Sequence, residues 1–162
     1  MLDAVVHRAQ DGSGVPVAVF SDFFCPFCRG LIGRLRGRAP TRTAINITWH
    51  ELPLLGPHSD LAARGAEAAG LQGGYAAFYD QLLRDGFRPI PQYFAEVAER
   101  AGLDGARFAQ DMDGPVVAAR LAHTASAAAS LGIYATPGIA IGRKVILGAL
   151  PDHEMERLID FT

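Results

Sequence analysis

Two cysteines carry the most reactive side chains of this chain, and they stand three positions apart. Cys25 and Cys28 are the only cysteines among the 162 residues. A pair so close in sequence cannot join distant parts of a fold, as the disulfides of small secreted domains do. The C-x-x-C spacing is instead suited to thiol–disulfide exchange, in which a thiolate attacks a sulfur of a disulfide.

The residues after the pair predict a helix that places the two sulfurs in different surroundings. Cys28, Leu31, Ile32 and Leu35 fall at i, i+3, i+4 and i+7, which is the buried stripe of an amphipathic helix. Cys25 lies one turn earlier, at the helix start, where unpaired backbone N–H groups favour an anion. The proline that follows it suits a first helical turn. We therefore expect an exposed, acidic Cys25 sulfur and a sheltered Cys28 sulfur.

Two other uses of the cysteine pair compete with redox chemistry. A tetrahedral zinc site needs four ligands, and the sequence offers no second cysteine pair. His50, His58 and His123 are too scattered to complete such a site, so we expect no metal and no cofactor. The cysteines could also be small apolar core residues. Their position between a predicted strand and a predicted helix favours the redox interpretation.

The segments around the pair predict a strand–helix–strand unit. Residues 15–20 form a short apolar run rich in β-branched side chains, as expected of a buried strand. Residues 44–50 have strong β propensity. This order predicts a right-handed crossover into a parallel pair. Residues 4–7 form at most a marginal edge strand.

The middle of the chain, residues 59–131, is helical by pattern throughout. Its clearest helix covers residues 75–83, where apolar side chains recur at i, i+3, i+4, i+7 and i+8. Ser59 and Asp60 are placed to cap the first helix of this stretch. We interpret the stretch as a helical insertion and not as a linker.

The end of the chain returns to β structure. Residues 139–147 predict a hairpin with a tight turn, and Pro151 begins a terminal helix. The length is near the usual size of one domain. We therefore expect a core made of residues 1–57 and 133–162, interrupted by an all-helical insertion at residues 58–132.

A second motif, Thr136-Pro137, stands directly before the predicted hairpin. The bond before a proline is the one that adopts the cis form, and a cis bond here would turn the Thr136 backbone outward with its N–H and C=O unpaired. If this loop faces Cys25, its backbone can bind a substrate peptide as an added strand. An ordinary turn with a trans proline is the alternative.

Together these segments resemble the DsbA-like branch of the thioredoxin-fold thiol:disulfide oxidoreductases. Residues 20–28 (FSDFFCPFC) resemble the family's active-site segment, and residues 51–56 (ELPLLG) resemble its strand exit. Residues 62–75, with Phe78, are similar to its insertion, and residues 131–137 (LGIYATP) are similar to its cis-proline loop. The resemblance covers nearly the full length. It implies an α/β fold with a thioredoxin-like mixed central sheet and an inserted all-helical subdomain.

The resemblance also implies a role for each residue of the two motifs. Cys25 corresponds to the attacking cysteine of the family and Cys28 to the resolving one. Thr136 and Pro137 correspond to the loop that contacts substrate.

The residues between and before the cysteines depart from the family pattern. We expect Pro26 and Phe27 to contact substrate, but the best-known oxidants of the family carry His where this chain has Phe27. That difference removes one positive contribution to thiolate stabilisation. Proteins of the wider fold often place an acid six residues before the first cysteine, where this chain has Val19. We interpret Asp22 as a strand-end or loop carboxylate and not as a proton shuttle.

Composition excludes several classes of protein. Hydrophobic residues make up 49% and charged residues 20%, which excludes a wholly disordered chain. A net charge of -2 argues against nucleic acid as the main partner. No run approaches the length of a membrane span, and residues 1–8 lack a signal-peptide pattern. Because the family usually acts outside the cytoplasm, the resemblance favours the cell envelope or periplasm, with the cytoplasm as the alternative.

The function predicted is a thiol:disulfide oxidoreductase that donates a Cys25–Cys28 disulfide to cysteine-containing polypeptides. The resemblance implies a membrane redox partner that reoxidises the pair. A disulfide reductase or isomerase differs only in redox poise and stays open as an alternative. From another class, a non-catalytic module could hold a thiophilic metal through the two cysteines, with further ligands from a partner.

Overall fold

The computed structural model describes residues 14–36, 45–84 and 90–160. Within them, β1 (Val15–Ser21) lies inside a mixed sheet of strand order β2-β1-β3-β4. It pairs in parallel with β2 (Ile45–Glu51) and antiparallel with β3 (Gly138–Ile141). β3 in turn pairs antiparallel with β4 (Lys144–Leu147). The predicted parallel pair and hairpin are therefore confirmed.

The described residues form seven helices. They are, in chain order, α1 (Pro26–Arg36), α2 (Pro57–Leu71), α3 (Tyr75–Arg84), α4 (Pro91–Arg100), α5 (Gly105–Met112), α6 (Pro115–Ser130) and α7 (Asp152–Asp160). None of the helices in this part of the chain combines the length and the apolar character that crossing a membrane requires.

The sheet is covered on both faces because successive side chains of β1 point in opposite directions. Val17 and Val19 pack in one cluster with the apolar stripes of α1 and α7. Ala18 and Phe20 pack in another cluster with Ala127 and neighbouring residues at the end of α6. This alternation fixes the face on which α1, and hence the cysteine pair, lies.

The five helices between β2 and β3 have a core of their own, centred on Phe78 of α3. Its ring centroid lies 6.4 Å from that of Phe94 and 5.2 Å from that of Phe108. Gly65 of α2 lies against the same ring, where a Cβ would stand 3.0 Å from a Phe78 carbon. Phe23, two residues before Cys25, belongs to this core, so the insertion packs directly on the cysteine segment.

The first insertion helix differs from its prediction. It begins at Pro57, with Gly56 at the N-cap and no side-chain cap, so the predicted capping by Ser59 or Asp60 is wrong. Proline suits a first helical position, and the Ser59 hydroxyl is engaged elsewhere, on Asp22. The predicted strand at residues 4–7 lies outside the described residues. The domain boundaries near residues 57 and 133 stay a prediction.

Candidate active site around Cys25 and Cys28

Cys25 lies at the junction between β1 and α1. Its backbone N–H donates to the carbonyl of Asp22 at 3.0 Å, and its own carbonyl accepts from the N–H of Arg29 at 3.2 Å. It therefore occupies the position just before the first residue of α1, as its spacing predicts. The expectation that it is exposed is wrong, because only 5% of the residue is accessible. A loop from the far end of the sequence covers it.

That loop is the Thr136-Pro137 motif, which joins α6 to β3. The Thr136-Pro137 peptide bond is cis, as the resemblance implies. The Pro137 carbonyl accepts a hydrogen bond from the N–H of Gly148 at 2.7 Å, while the Thr136 carbonyl accepts one from the Cys25 thiol at 3.3 Å. The fold thus joins two motifs that lie 111 residues apart in the sequence.

Cys28 lies one turn into α1 and is fully buried, as its place on the apolar stripe predicts. Burial raises the pKa of its thiol to about 12, and hydrogen bonding from the Asp22 backbone and the Thr136 side chain opposes this effect only in part. Cys25 adds to the increase. Both cysteines are free thiols in this structure. The Cys28 sulfur is therefore protonated at neutral pH when the pair is reduced.

Asp22 holds the segment before Cys25 in place. Asp22 is 1% exposed, and its Oδ1 accepts from the Phe24 N–H at 2.8 Å and from the Ser59 hydroxyl at 2.7 Å. Oδ2 accepts from the N–H groups of Leu54 at 2.8 Å and Leu55 at 3.0 Å. The prediction of a strand-end or loop carboxylate is confirmed. Its four partners join the cysteine segment to the exit of β2 and to α2.

Bulky apolar side chains surround the cysteine segment on the protein surface. Phe27 is 67% exposed and Phe24 36% exposed, and Pro26 between the cysteines is also exposed. Leu54 and Leu55, whose backbones bind Asp22, and Tyr134, two residues before Thr136, complete this group. We call Phe24, Phe27, Leu54, Leu55 and Tyr134 the apolar rim.

Sequence reasoning missed Glu51, the last residue of β2. It is 1% exposed, and the hydroxyl of Tyr75 in α3 donates a hydrogen bond to its Oε1. Burial raises the pKa of Glu51 to about 8; the Tyr75 hydrogen bond lowers it, and the charges of Glu67 and Asp22 raise it further. A carboxylate at a strand end is usually exposed, so its own position gives no sign of burial. The usable signal is Tyr75 on a predicted apolar stripe, since a buried phenol needs a partner.

A family model described as DSBA-like thioredoxin domain matches residues 16–160. A Na(+)/H(+) antiporter NhaA 3 of Salinispora tropica is 32% identical over 132 residues, which are 80% of this chain and 20% of the antiporter. The chain thus spans about one fifth of the length of the first curated relatives it matches. A probable disulfide bond formation protein D of Bacillus cereus is 24% identical over 165 residues, covering 93% of this chain and 75% of that protein.

Among solved structures, a thioredoxin-like oxidoreductase from Silicibacter pomeroyi superposes with a TM-score of 0.83 and 27% sequence identity. The match covers 98% of this chain and 95% of that one. The predicted fold, a thioredoxin-like mixed sheet with an inserted helical subdomain, is confirmed by this likeness and by the family match.

Proposed function

The chain belongs to the family of DSBA-like thioredoxin domains, which are thiol:disulfide oxidoreductases acting on cysteine-containing substrates, and we propose that it oxidises folding polypeptides with a Cys25–Cys28 disulfide. The observation that carries the proposal is the 3.3 Å approach of the Cys25 sulfur to the Thr136 carbonyl. This contact places one sulfur beside a backbone that can hold an extended peptide.

The exchange proceeds in two displacements. A substrate thiolate attacks Cys25 Sγ, which forms a mixed disulfide, breaks the Cys25–Cys28 bond and releases the Cys28 sulfur. A second substrate thiolate then attacks the substrate sulfur of the mixed disulfide and releases Cys25 as a thiolate. The substrate loses two electrons and the cysteine pair gains them. The raised pKa of the buried Cys28 thiol supports its role as the sulfur that leaves and is protonated.

We assign substrate contact to Pro26, Phe27, Thr136 and Pro137. Pro26 and Phe27 are exposed beside Cys25, and the Thr136 carbonyl lies at hydrogen-bond distance from its sulfur. The apolar rim extends this surface. Unfolded polypeptides expose apolar side chains that folded proteins bury, so the rim favours folding chains over finished ones.

We further propose that the chain works in the cell envelope and that a membrane redox partner reoxidises it. The relative from Bacillus cereus is named for disulfide bond formation, and disulfides form and persist in oxidising compartments outside the cytoplasm. The test uses cells that express the chain from its native gene. The cells are first treated with a phosphine reductant that opens the Cys25–Cys28 disulfide and, after washing, with a maleimide; neither reagent crosses the cytoplasmic membrane. Labelling of Cys25 in intact cells supports the proposal, and labelling only after lysis contradicts it.

The redox equilibrium of the pair with glutathione tests the direction of electron flow. An oxidant has a reduction potential well above the value of about −270 mV that is typical of thioredoxin. A potential near that value would contradict the oxidant proposal and leave a reductase. Oxidation of a reduced, unfolded polypeptide by the disulfide form should follow the same equilibrium. Stoichiometric retention of a thiophilic metal without any exchange would favour a binding module instead.

A further inference from the structure

Charge is unevenly distributed over the segments that build the surface around Cys25. These segments are the end of β1, α1, the exit of β2 with the first turn of α2, and the loop before β3. Their acidic residues are Asp22, Glu51 and Asp60. Asp22 and Glu51 are 1% exposed, and Asp60 pairs with Arg64 at 2.7 Å. No acidic side chain of these segments is therefore both exposed and unpaired.

Arg29 is an exposed cation one helical turn from Cys25. Its backbone N–H donates to the Cys25 carbonyl at 3.2 Å, which is the bond between positions i+4 and i of a helix. Cβ atoms at this spacing lie about 5–6 Å apart, and side chains of a helix lean towards its N-terminus. The Arg29 side chain therefore extends towards the Cys25 end of α1.

The guanidinium of Arg29 is available to an external anion, whereas that of Arg34 on the same helix is occupied. Arg34 pairs with Asp152 at 2.9 Å and donates to the Leu150 carbonyl at 3.0 Å. Arg29 forms no ion pair with any residue that the structure describes. A guanidinium carries five N–H donors in a planar fork that fits a carboxylate. Arg29 can therefore bind a carboxylate without losing a partner inside the protein.

His58 adds a second polar group beside the apolar rim. It is exposed in the first turn of α2, and its ring centroid lies 6.0 Å from that of Phe24, a member of the rim. An imidazole N–H can donate to a carboxylate. The start of α1 also favours negative charge, because its first backbone N–H groups have no partner within the helix. All three features suit a substrate that carries negative charge.

We propose that the chain prefers substrate cysteines that have acidic residues beside them, and that Arg29 sets this preference. While the substrate sulfur attacks Cys25 Sγ, a carboxylate on the neighbouring substrate residue pairs with the Arg29 guanidinium. A basic residue in the same place is repelled. The pairing changes neither the bonds exchanged nor the electrons transferred, so Arg29 determines which thiol reacts and not how it reacts.

The test uses three synthetic peptides that differ only beside one central cysteine. The cysteine is flanked on both sides by Asp, by Ser or by Lys, and the peptide ends are acetylated and amidated. Each peptide opens the disulfide of the oxidised chain at pH 7.5 and low salt, and mass spectrometry after an acid quench follows the reaction. The rate of each variant is divided by the wild-type rate with the same peptide, so differences in thiol pKa between the peptides cancel.

Substitutions of Arg29 should change the three rates in opposite directions. Arg29→Gln should lower the rate with the Asp peptide about threefold, raise it with the Lys peptide by a similar factor, and leave the Ser peptide unchanged. Arg29→Lys keeps the charge and should keep the preference, whereas Arg29→Glu should favour the Lys peptide. In 1 M salt, where charges interact over only about 3 Å, the effects of the substitutions should nearly vanish.

Arg143→Gln is the matched control, because it removes the same charge from a distant surface. Gly138 pairs with Phe20 and Ile141 with Val17, so the exposed Arg143 in the turn after β3 lies at the end of the sheet away from Cys25. This variant should react with all three peptides as the wild type does. An effect as large as that of Arg29→Gln would assign the preference to net charge and overturn the role of Arg29.

Two further results would also overturn the proposal. Equal changes with all three peptides in Arg29→Gln would mean that Arg29 acts on the reactivity of Cys25, and unchanged rates would mean that it does not act at all. The preference rests on the proposed exchange by Cys25 and Cys28, and the wild type separates their failures. A disulfide that none of the peptides opens contradicts the proposed function. A disulfide that opens normally, but with rates that Arg29→Gln does not redistribute, overturns only the preference.

Discussion

Cys25 and Cys28 lie within one helical turn, yet different parts of the chain surround them. Cys25 contacts the Thr136 carbonyl and lies beside the exposed Phe27. Cys28 faces the sheet, near the end of β1 where Ser21 pairs with Glu51. Both cysteines are nearly inaccessible, at 5% and 0% exposure. Exposure therefore does not distinguish them; Cys25 borders the exposed apolar rim, whereas Cys28 lies on the buried stripe of α1 with Leu31, Ile32 and Leu35.

The largest expected effect comes from removing either sulfur. Cys25→Ser should abolish exchange with glutathione, because the remaining sulfur is fully buried and protonated at neutral pH. Cys28→Ser should instead accumulate a stable mixed disulfide on Cys25, because no second sulfur displaces the bound thiol. Mass spectrometry of each variant after incubation with oxidised glutathione distinguishes the two. A glutathione adduct on Cys28 in Cys25→Ser would show that the two environments are equivalent.

The next effect tests the buried surroundings of Cys28 through the pH dependence of stability. Glu51 has a pKa of about 8 when folded, whereas an unfolded glutamate titrates near 4.3. Between these values the folded chain holds a proton that the unfolded chain has released. Its free energy of unfolding therefore falls as pH rises from about 4.5 to about 8, by up to about 5 kcal/mol, and is level above that range.

Urea unfolding of the wild type and Glu51→Gln at pH 5, 6.5, 8 and 9 measures this dependence. The wild type should lose stability relative to the variant as pH rises to 8, since glutamine has no proton to release. Equal pH dependence in the two proteins would mean that Glu51 does not titrate in this range.

How far the sequence predicts the surroundings of the two cysteines depends on how far along the chain the residues that create them lie. The burial of Cys28 is local, because Leu31, Ile32 and Leu35 repeat its spacing on one helix, and it was predictable. The burial of Cys25 and of Glu51 depends on Thr136 and Tyr75, which lie far along the chain, and neither was predictable from neighbouring residues. The cysteine pair and Thr136-Pro137 could each be recognised as motifs of a family, but only the fold shows the contact between them.

Asp22 shows the same limit in a different way. Its type and place predict a carboxylate at a strand end, and that much is confirmed. Its partners Leu54, Leu55 and Ser59 come from a segment more than 30 residues later. No local pattern marks these backbone N–H groups as donors to one carboxylate. The sequence therefore identifies the residue but not the connection it makes between the cysteine segment and the insertion.

A smaller effect tests whether Asp22 holds the cysteine segment against the exit of β2 and the start of α2. Asp22→Ala leaves the N–H groups of Phe24, Leu54 and Leu55 without their acceptor and should lower the free energy of unfolding by about 3 kcal/mol. Ser59→Ala removes one of the four hydrogen bonds and should cost about 1 kcal/mol. Urea unfolding measures both. Equal losses would indicate that the backbone donors find other partners when the carboxylate is absent.

The smallest effect tests the surface beside Cys25. Phe27 is 67% exposed, so Phe27→Ala should leave the free energy of unfolding nearly unchanged. If the ring packs against polypeptide substrate, its loss removes apolar contact worth about 1 kcal/mol, which is about a fivefold lower kcat/KM for a reduced, unfolded polypeptide. Glutathione is too small to span the apolar rim, so its exchange rate should change much less.

Val116→Ala is the matched control for this last prediction. Val116 is 52% exposed and lies near the start of α6, at the opposite end of that helix from the segment leading to Thr136-Pro137. Its loss should affect neither polypeptide nor glutathione. A fall in both rates for Phe27→Ala would place the effect on the reactivity of Cys25 itself, because a change in the sulfur acts on every thiol. A fall for the polypeptide alone would assign Phe27 to substrate binding, on the side of the pair that faces solvent.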